Sequence, residues 1–516
     1  MARDSSPILR HQIDAGTYTD QDNVLRELVR NAHLSPEERV KISQDAAQIV
    51  RDIRGHTSPG IMEVFLAEYG LSTDEGVALM CLAEALLRVP DAETIDALIE
   101  DKIAPSDWGR HMGHSTSPLV NASTWALMLT GRVLDDDQPG PVRHLRAAIK
   151  RLGEPVIRTA VSRAMKEMGR QFVLGENINA AMERAKGMEK KGYTYSYDML
   201  GEAARTESDA KRYHLSYSRA ISAIATACVH KDSRKNPGIS VKLSALHPRY
   251  EVAQEASVMR DLVPRLRALA LLAKSAGMGL NVDAEEADRL GLSLDVIEKV
   301  LSEPALSGWD GFGIVVQAYG PRAGVVIDAL YDMAIRHDRK IMVRLVKGAY
   351  WDTEIKRAQV KGVEGFPVFT QKAATDVSYI ANARKLLNMT DRIYPQFATH
   401  NAHTVAAVLH MAEDKEKFEF QRLHGMGETL HNIVMDKHGT HCRVYAPVGA
   451  HADLLAYLVR RLLENGANSS FVNQIVDEDV APEVVAADPF DSLAESGLYI
   501  PTGPELYAPA RVNSMG

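Results

Sequence analysis

The sequence predicts an α/β fold, namely a (βα)8 TIM-like barrel preceded by an all-helical N-terminal arm and domain. From about residue 192, short runs rich in β-branched and aromatic residues alternate with longer amphipathic segments over about 275 residues, the size of such a barrel. The first third instead has apolar residues at helical spacing and no useful period-two alternation. An open doubly wound sheet is the alternative, although six strands are more usual there.

The N-terminal third is predicted to be a set of packed helices. Segments 37–53 and 74–89 place apolar residues near helical spacing, and the second segment stops at Pro90. Residues 467–516 lose this periodicity and carry proline and glycine, which is typical of a tail or linker. The predicted domains are a helical arm (1–50), a helical domain (51–172), the barrel (173–475) and a tail or linker (476–516).

The barrel strands are predicted from eight runs with turn residues between them. In chain order the runs cover 193–200, 238–246, 279–287, 312–320, 341–350, 394–401, 418–425 and 441–449. Helices are predicted between them over 257–276, 293–302, 322–337, 373–388 and 402–413. The last run is followed by another amphipathic helix, whose apolar face contains Leu455, Leu458, Val459 and Leu462.

Composition restricts the partners and the location. The net charge is -8 with no basic stripe, which argues against nucleic acid as a partner because phosphate binding needs a concentrated basic surface. The 3 cysteines are far apart and form no CxxC pair, so we predict no metal site, no disulfide framework and a reducing, cytoplasmic setting. No apolar run is long enough to span a bilayer, which leaves peripheral membrane contact open.

Polar residues at the ends of the predicted strands are the candidate functional residues, because barrel enzymes carry their chemistry at the carboxyl ends of strands. An inert barrel has no need of buried charge at these positions. The candidates are Asp198, Glu202, Lys242, Asp283, Glu285, Glu286, Gln317, Tyr319, Arg344, Lys347, His400, Asn401, His424 and Tyr445.

Some of these residues also have purely structural interpretations. Lys242 and Asp283 come from neighbouring strands and are compatible with a buried ion pair. Glu285 and Glu286 are more typical of a solvated helix start, which the helix dipole would stabilise. A lone histidine such as His424 is more often a hydrogen-bonded structural residue than a catalyst.

The final helix has two interpretations. Arg460, Arg461 and Glu464 lie away from its apolar face, where ion pairs at spacings of three and four would stabilise a solvated surface. Alternatively, the paired guanidiniums hold a small carboxylate; spacing alone favours the solvated surface. The sequence contains no GxGxxG, P-loop, HExxH or GxSxG motif, which removes the usual Rossmann, NTPase, zinc protease and α/β-hydrolase interpretations.

Long strings at the strand ends resemble the proline dehydrogenase domain of proline utilization A (PutA). They include SVKLSALHPRY, NVDAEEADRL, RLVKGAYWDTEIKRAQ, FATHNAHT and LAYLVRRLLENGANSSFV. The resemblance covers about residues 170–475, and the helical first third is similar to the arm and α-domain of that family. The resemblance implies noncovalently bound FAD and oxidation of L-proline to Δ1-pyrroline-5-carboxylate by hydride transfer to flavin N5. This reaction is the first step of proline catabolism to glutamate. The resemblance also implies that the electrons pass on to a membrane quinone.

The resemblance also implies roles for individual residues. The two arginines would hold the substrate carboxylate, with Glu202 pairing with Arg460 as a gate, and Arg344 would reach flavin N5. The implied proline-site residues are Lys242, Asp283, Tyr350, Leu423, Tyr445, Arg460, Arg461 and Glu202. The implied FAD contacts are Gln317, Arg344, Val346, Lys347, Gly348, Ala349, Trp351, Thr370, Lys372, Thr375, Thr399, His400, Asn401 and Glu464.

PutA proteins carry a second domain, an aldehyde dehydrogenase, so we expect this chain to be part of a longer bifunctional protein. We expect a cytoplasmic location with peripheral contact at the inner membrane, and no nucleic-acid partner, because no basic strand precedes the first helices. The alternatives are a different flavin barrel that uses a nicotinamide donor, a lyase or aldolase with Lys242 or Lys347 as a Schiff base, and a helical scaffold with an inert barrel.

Overall fold

The computed structural model describes residues 7–55, 173–449, 474–475, 479–493 and 499–507. Within these ranges, eight parallel strands close into a barrel in chain order, and the first strand pairs with the last. The strands are β1 Thr194–Met199, β2 Gly238–Val241, β3 Leu280–Val282, β4 Phe312–Gln317, β5 Ile341–Val346, β6 Ile393–Ala398, β7 Glu419–Leu423 and β8 Cys442–Val448. Each predicted run overlaps one of them, so the predicted barrel is confirmed.

Helices surround the barrel and form an N-terminal arm. The arm contains α1 Pro7–Ala15, α2 Gln21–Asn31 and α3 Pro36–Arg54. The barrel helices are α4 Ile178–Glu189, α5 Glu207–Ile224, α6 Glu255–Ser275, α7 Leu290–Leu301, α8 Ala323–Arg336, α9 Trp351–Lys361, α10 Lys372–Leu387, α11 Ala402–Met411 and α12 Glu428–His438. The helices predicted between strands are confirmed, whereas those predicted at 74–89 and after the last strand lie outside the described residues.

The start of α3 shows how local sequence specifies a helix of the arm. Ser35 accepts a hydrogen bond from the backbone N–H of Glu38, while the Glu38 carboxylate accepts one from the N–H of Ser35. Pro36 occupies the first helical position, where its missing N–H costs nothing. The observed helix therefore begins one residue before the predicted 37–53.

The arm packs along one side of the barrel. Helix α2 lies against α10, α3 lies against α11 and α12, and α1 lies against α7 and α8. Part of the segment predicted as a tail also packs here, through short helices at Pro482–Val485 and Pro489–Ser492. Arg39 of α3 donates to Asp488 at 2.6 Å and lies over the ring of Phe490, which is buried. In the described part of the chain, no helix is both long and apolar enough to cross a membrane.

A polar layer fills the barrel interior near the amino ends of β7 and β8. Arg443 pairs with Glu419 at 2.7 Å, and both side chains are buried. Gln396 and Gln421 each donate to Glu419 at 2.8 Å, and Asn281 donates to Gln396 at 2.8 Å. Because the charges are paired and hydrogen-bonded, this layer closes the floor of the barrel at a tolerable desolvation cost.

Buried histidines should make the fold sensitive to acid. Burial lowers the pKa of His424 to about 3 and the pKa values of His403 and His431 to about 4. In the unfolded chain these groups titrate near 6.5. The unfolded chain therefore binds more protons than the folded protein below pH 6.5, so we expect the free energy of unfolding to fall from pH 6.5 towards pH 4.

Urea unfolding at pH 7 and pH 5 measures this effect. His403 is the histidine to substitute in this test, because neither of its ring nitrogens has a hydrogen-bond partner among the described residues. The variant His403→Leu should lose less stability than the parent between the two pH values. An unchanged pH dependence in the variant would show that His403 does not contribute.

Candidate active site

Charged side chains meet inside the barrel at the carboxyl ends of β1, β2, β3 and β5. The Nζ atom of Lys242 lies 2.8 and 3.0 Å from the carboxylate oxygens of Asp198, and 3.4 Å from Oδ2 of Asp283. Arg344 donates through Nη1 to Oδ1 of Asp283 at 3.0 Å. In the described part of the chain, this cluster balances two cations with two carboxylates, so neither sign of charge is buried without compensation.

Lys242 is held in its charged form. Its side chain is 8% exposed and that of Asp198 is 1% exposed. Burial alone would lower the pKa of Lys242, but the negative charges of Asp198 and Asp283 raise it well above the ordinary lysine value. A Schiff-base enzyme needs a neutral amine as nucleophile. The geometry at Lys242 therefore argues against the lyase or aldolase alternative at this residue.

Tyr445 joins the cations to the carboxylates. Its hydroxyl donates to Oδ2 of Asp283 at 2.8 Å and lies 3.4 Å from Nζ of Lys242. The guanidinium of Arg344 lies over its ring, 5.1 Å from the centroid, in a cation–π contact. Burial and the nearby carboxylates raise the pKa of Tyr445 well above its usual value, so the phenol remains a hydrogen-bond donor.

Two serine hydroxyls inside the barrel accept hydrogen bonds from the guanidinium of Arg344. The hydroxyl of Ser240 accepts from both Nη1 and Nη2 at 3.1 Å, and Ser196 accepts from Nη2 at 3.2 Å. The Arg344 side chain is 3% exposed. Its Nε is a buried donor with no hydrogen-bond partner among the described residues. A buried guanidinium fixed in this way is suited to a ligand with acceptor atoms near the barrel mouth.

The loop after β3 corrects one sequence-based expectation. Glu285 does not lie at a solvated helix start: its side chain is 6% exposed and accepts from the backbone N–H of Ser244 at 3.0 Å. Burial raises the pKa of this carboxyl. Gln317 donates to the backbone carbonyl of Glu285 at 2.9 Å. The expectation was wrong because the loop folds back over the end of β2, which local sequence does not reveal.

The loop after β5 is fixed by close contacts. Gly348 has a φ of +142°, and a Cβ at this position would lie 2.3 Å from the ring of Tyr319, so only glycine fits. The backbone N–H of Tyr319 donates to the carbonyl of Lys347 at 2.7 Å. The indole of Trp351 donates to the carbonyl of Phe369 at 2.8 Å. These contacts fix the chain from Val346 to Trp351, which includes the exposed Ala349.

A pair of lysines lies beside the start of α10. Lys347 and Lys372 both donate to the buried carboxylate of Asp376, Lys372 at 3.2 Å. Burial opposes the charged carboxylate, but the lysines lower its pKa below the ordinary value. Gln371 provides no side-chain cap at the start of α10, and Thr375 is buried in the first turn. Two cations beside an uncapped helix start are suited to an anion such as a phosphate.

The end of β6 is held by local contacts. Asn401 caps α11 by accepting from the N–H of Thr404 at 2.9 Å, and the Thr399 hydroxyl accepts from the N–H of Asn401 at 3.1 Å. His400 accepts from the N–H of Leu423 at 3.0 Å, which ties β6 to β7. These side chains therefore shape the mouth, and their contact with a cofactor stays a prediction.

The remaining predicted residues lie at the rim or outside the described part. Leu423 ends β7, Tyr350 precedes α9, and Glu202 lies in the loop after β1; all three are half-buried. Three further predicted residues belong to the last helix, namely Arg460 and Arg461 for the substrate and Glu464 for the cofactor. They lie outside the described residues. Within the described ranges, no group of His, Cys, Asp or Glu residues is arranged to hold a metal ion.

Sequence reasoning missed several residues of the charged cluster and of the lysine pair beside α10. It named Asp198 as a strand end but did not place it in the proline site, and it did not consider Ser196, Ser240 or Asp376. The sequence did contain a signal for Ser196 and Asp198, because they lie two residues apart and therefore on one face of β1. Ser240 has the same relation to Lys242 at the end of β2.

A family model described as "Proline dehydrogenase" matches residues 181–474, which is more than half of the chain. The chain belongs to the proline dehydrogenase family. The predicted family and class of oxidoreductase are thereby confirmed. A model for the PutA proline dehydrogenase N-terminal domain matches residues 8–54, and one described as "DNA-binding domain of Proline dehydrogenase" matches 61–172. The description of this last model counts against the expectation that the chain has no nucleic-acid partner.

Related proteins of the proline dehydrogenase family support the same assignment. The bifunctional protein PutA of Salmonella typhimurium is 49% identical over 532 residues, which cover 99% of this chain and 40% of that protein. Proline dehydrogenase 1 of Bacillus subtilis is 28% identical over 307 residues, which cover 59% of this chain and 88% of that protein. A crystal structure of Bradyrhizobium japonicum PutA has 51% identity and a TM-score of 0.75, covering 97% of this chain and 51% of that one. The chain thus spans 40% of the Salmonella relative.

Proposed function

We propose that this member of the family oxidises L-proline to Δ1-pyrroline-5-carboxylate with FAD as its cofactor. The observation that carries the proposal is the buried, charge-balanced cluster at the barrel mouth, which contains Lys242, Asp198, Asp283, Arg344 and Tyr445. The similarity to Proline dehydrogenase 1 of Bacillus subtilis covers most of that protein and only part of this chain, which supports a shared barrel activity.

The residues around the mouth fit FAD. Arg344 presents a fixed guanidinium with an unpartnered buried Nε among the described residues. Lys347 and Lys372, beside the uncapped start of α10, are suited to the pyrophosphate. When bound, FAD supplies the hydride acceptor. The implied contacts from Thr399, His400 and Asn401 would lie at the carboxyl end of β6, the strand that pairs with β5.

The charged cluster prepares a polar wall for proline. Oxidation removes a hydride from C5 and a proton from the ring nitrogen of the substrate. Lys242 stays charged beside Asp198, so its ammonium is a fixed donor of this wall. Asp283 is oriented by Tyr445 and Arg344, which fixes the acceptor atoms of this wall. Leu423 and Tyr350 would contact the ring, and Arg460 and Arg461 would hold the carboxylate.

An anaerobic absorbance titration tests the proposed activity. The purified chain should show a flavin spectrum that bleaches with L-proline and not with D-proline or NADH. Bleaching only by a nicotinamide would favour a different flavin barrel. A colourless protein that cannot be reconstituted with FAD would refute the proposal.

We further infer that the electrons pass to a quinone at a membrane surface and that the protein is cytoplasmic with peripheral membrane contact. The relatives named PutA are described as bifunctional, so an aldehyde dehydrogenase domain is proposed for the parent protein. Proline-dependent reduction of a soluble quinone, with and without phospholipid vesicles, tests the acceptor. A reduced flavin that the quinone does not reoxidise would contradict it.

The lysine pair should determine how tightly FAD binds. We expect Lys347→Met to raise the dissociation constant of FAD about tenfold or more, because one charge-assisted contact is worth roughly 1.5–3 kcal/mol. The salt dependence of binding should fall as well. Flavin fluorescence titrations at low and high salt measure both effects. Lys356→Met, at an exposed position of α9, is the control, and equal affinities in the two variants would contradict the role of Lys347.

A further inference from the structure

The N-terminal arm reaches the barrel mouth through Gln21, the first residue of α2. Its side-chain Nε2 donates to the carbonyl of Val368 at 3.2 Å. Its Oε1 accepts from the backbone N–H of Thr370 at 3.1 Å and from the Thr370 hydroxyl at 3.3 Å. A single side chain of the arm therefore holds the chain on both sides of Phe369, just before α10 begins.

The short segment 368–370 is also fixed by the barrel. The N–H of Phe369 donates to the carbonyl of Tyr319 at 2.7 Å, and the indole of Trp351 donates to the carbonyl of Phe369 at 2.8 Å. Val368 and Phe369 are fully buried. Gln21 forms hydrogen bonds with two backbone groups on either side of Phe369, namely the Val368 carbonyl and the Thr370 N–H. Buried backbone groups of this kind need a hydrogen-bond partner.

A primary amide is the side chain that this arrangement needs. It offers a donor and an acceptor at fixed separation, whereas a carboxylate only accepts and a lysine only donates. The position of Gln21 is itself defined, because Asp20 caps α2 and α2 packs on α10. At the other end of the contact between α2 and α10, Arg384 of α10 donates to the carbonyl of Ala32 at 3.1 Å.

We propose that Gln21 is a positioning residue for the cofactor site. It holds segment 368–370 so that Thr370, and the start of α10 with Lys372, keep the geometry that FAD requires. This inference rests on the proposed function, because Thr370 is assigned to the cofactor only there. The Thr370 hydroxyl donates to Gln21, so towards a ligand it presents acceptor lone pairs, and its ligand partner must be a donor such as a sugar hydroxyl.

The test compares three variants of the full chain by amide hydrogen exchange and by FAD titration. Gln21→Met keeps the size of the side chain and removes both polar contacts, whereas Gln21→Glu keeps only the acceptor. Gln48→Met is the control, because Gln48 is exposed on α3 and, within the described residues, donates only to Asp52 at 3.1 Å. The urea midpoint of each variant separates a local change from general destabilisation.

In Gln21→Met we expect faster exchange of the Thr370 amide and an FAD dissociation constant about tenfold higher, as for the loss of one to two hydrogen bonds. The KM for proline of the FAD-saturated variant should be unchanged. Gln21→Glu should retain protection at Thr370 and recover part of the affinity. Gln48→Met should match the parent in both measurements.

Two outcomes would overturn the role of Gln21. One is unchanged exchange at Thr370 in Gln21→Met. The other is lost protection with unchanged FAD affinity, which would make the contact purely structural. Both differ from failure of the proposed function, in which the parent chain itself binds no FAD while the exchange measurement still reports on the contact.

Discussion

Replacement of Lys242 by methionine is expected to abolish measurable proline oxidation and to lower the free energy of unfolding by about 3–5 kcal/mol. The lysine lies between two carboxylates inside the barrel, and the carboxylate of Asp198 is almost fully buried. Without the ammonium, Asp198 becomes a buried charge with no cation in contact among the described residues, and such an uncompensated charge is costly.

A second substitution separates the two effects. The double variant Lys242→Met with Asp198→Asn should regain much of the lost stability, because no unpaired charge is then buried, but it should not regain activity. Lys211→Met is the control, since its side chain is 72% exposed and its ion pair should contribute within about 0.5 kcal/mol. Stopped-flow flavin reduction and urea unfolding give the two measurements. Proline oxidation in the double variant would show that Lys242 has only a structural role.

Replacement of Arg344 by lysine is expected to slow flavin reduction by proline about a hundredfold, as for the loss of a preorganised donor in an active site. The substitution keeps the positive charge, so it tests geometry alone. Arginine contacts Asp283, Ser240 and Ser196 with one planar fork, which a lysine ammonium cannot reproduce. Asp283 would then lose one of the donors that orient it among the described residues.

The rate at saturating proline, measured in the FAD-loaded variant, is the decisive quantity, because it separates the chemical step from cofactor loss. Arg260→Lys is the control, because the side chain of Arg260 is 69% exposed and pairs only with the neighbouring Asp261 within the described residues. A full rate in Arg344→Lys would mean that the charge suffices and that the serine support has no catalytic consequence.

The polar interior explains why these effects are expected to be large. Below the reactive cluster, Ser196 and Ser240 contact Arg344, and further down Glu419 pairs with Arg443. Most side chains in this interior are hydrogen-bonded, so a change at one position leaves a partner unsatisfied. An aliphatic interior would relax around the same substitutions more easily.

The sequence by itself determined the secondary structure and the class of fold. Strand runs and helix periods depend on residues close together in the chain, as the capping box of Ser35 and Glu38 shows for α3. The strand-end position of Lys242, Asp283 and Tyr445 followed from the same local pattern. Their assignment to proline or FAD came from family resemblance, and it stays a prediction.

Only the tertiary structure decided which side chains meet. Asp198 pairs with Lys242 because β1 and β2 align Asp198 with Ser240, and this register depends on closure of the whole barrel. Gln21 and Thr370 are 349 residues apart, so no local pattern links them. The burial of Glu285 by a returning loop and the packing of Phe490 on the arm have the same cause. Contacts between distant segments depend on how complete surfaces pack, and periodicity along the chain carries no information about that packing.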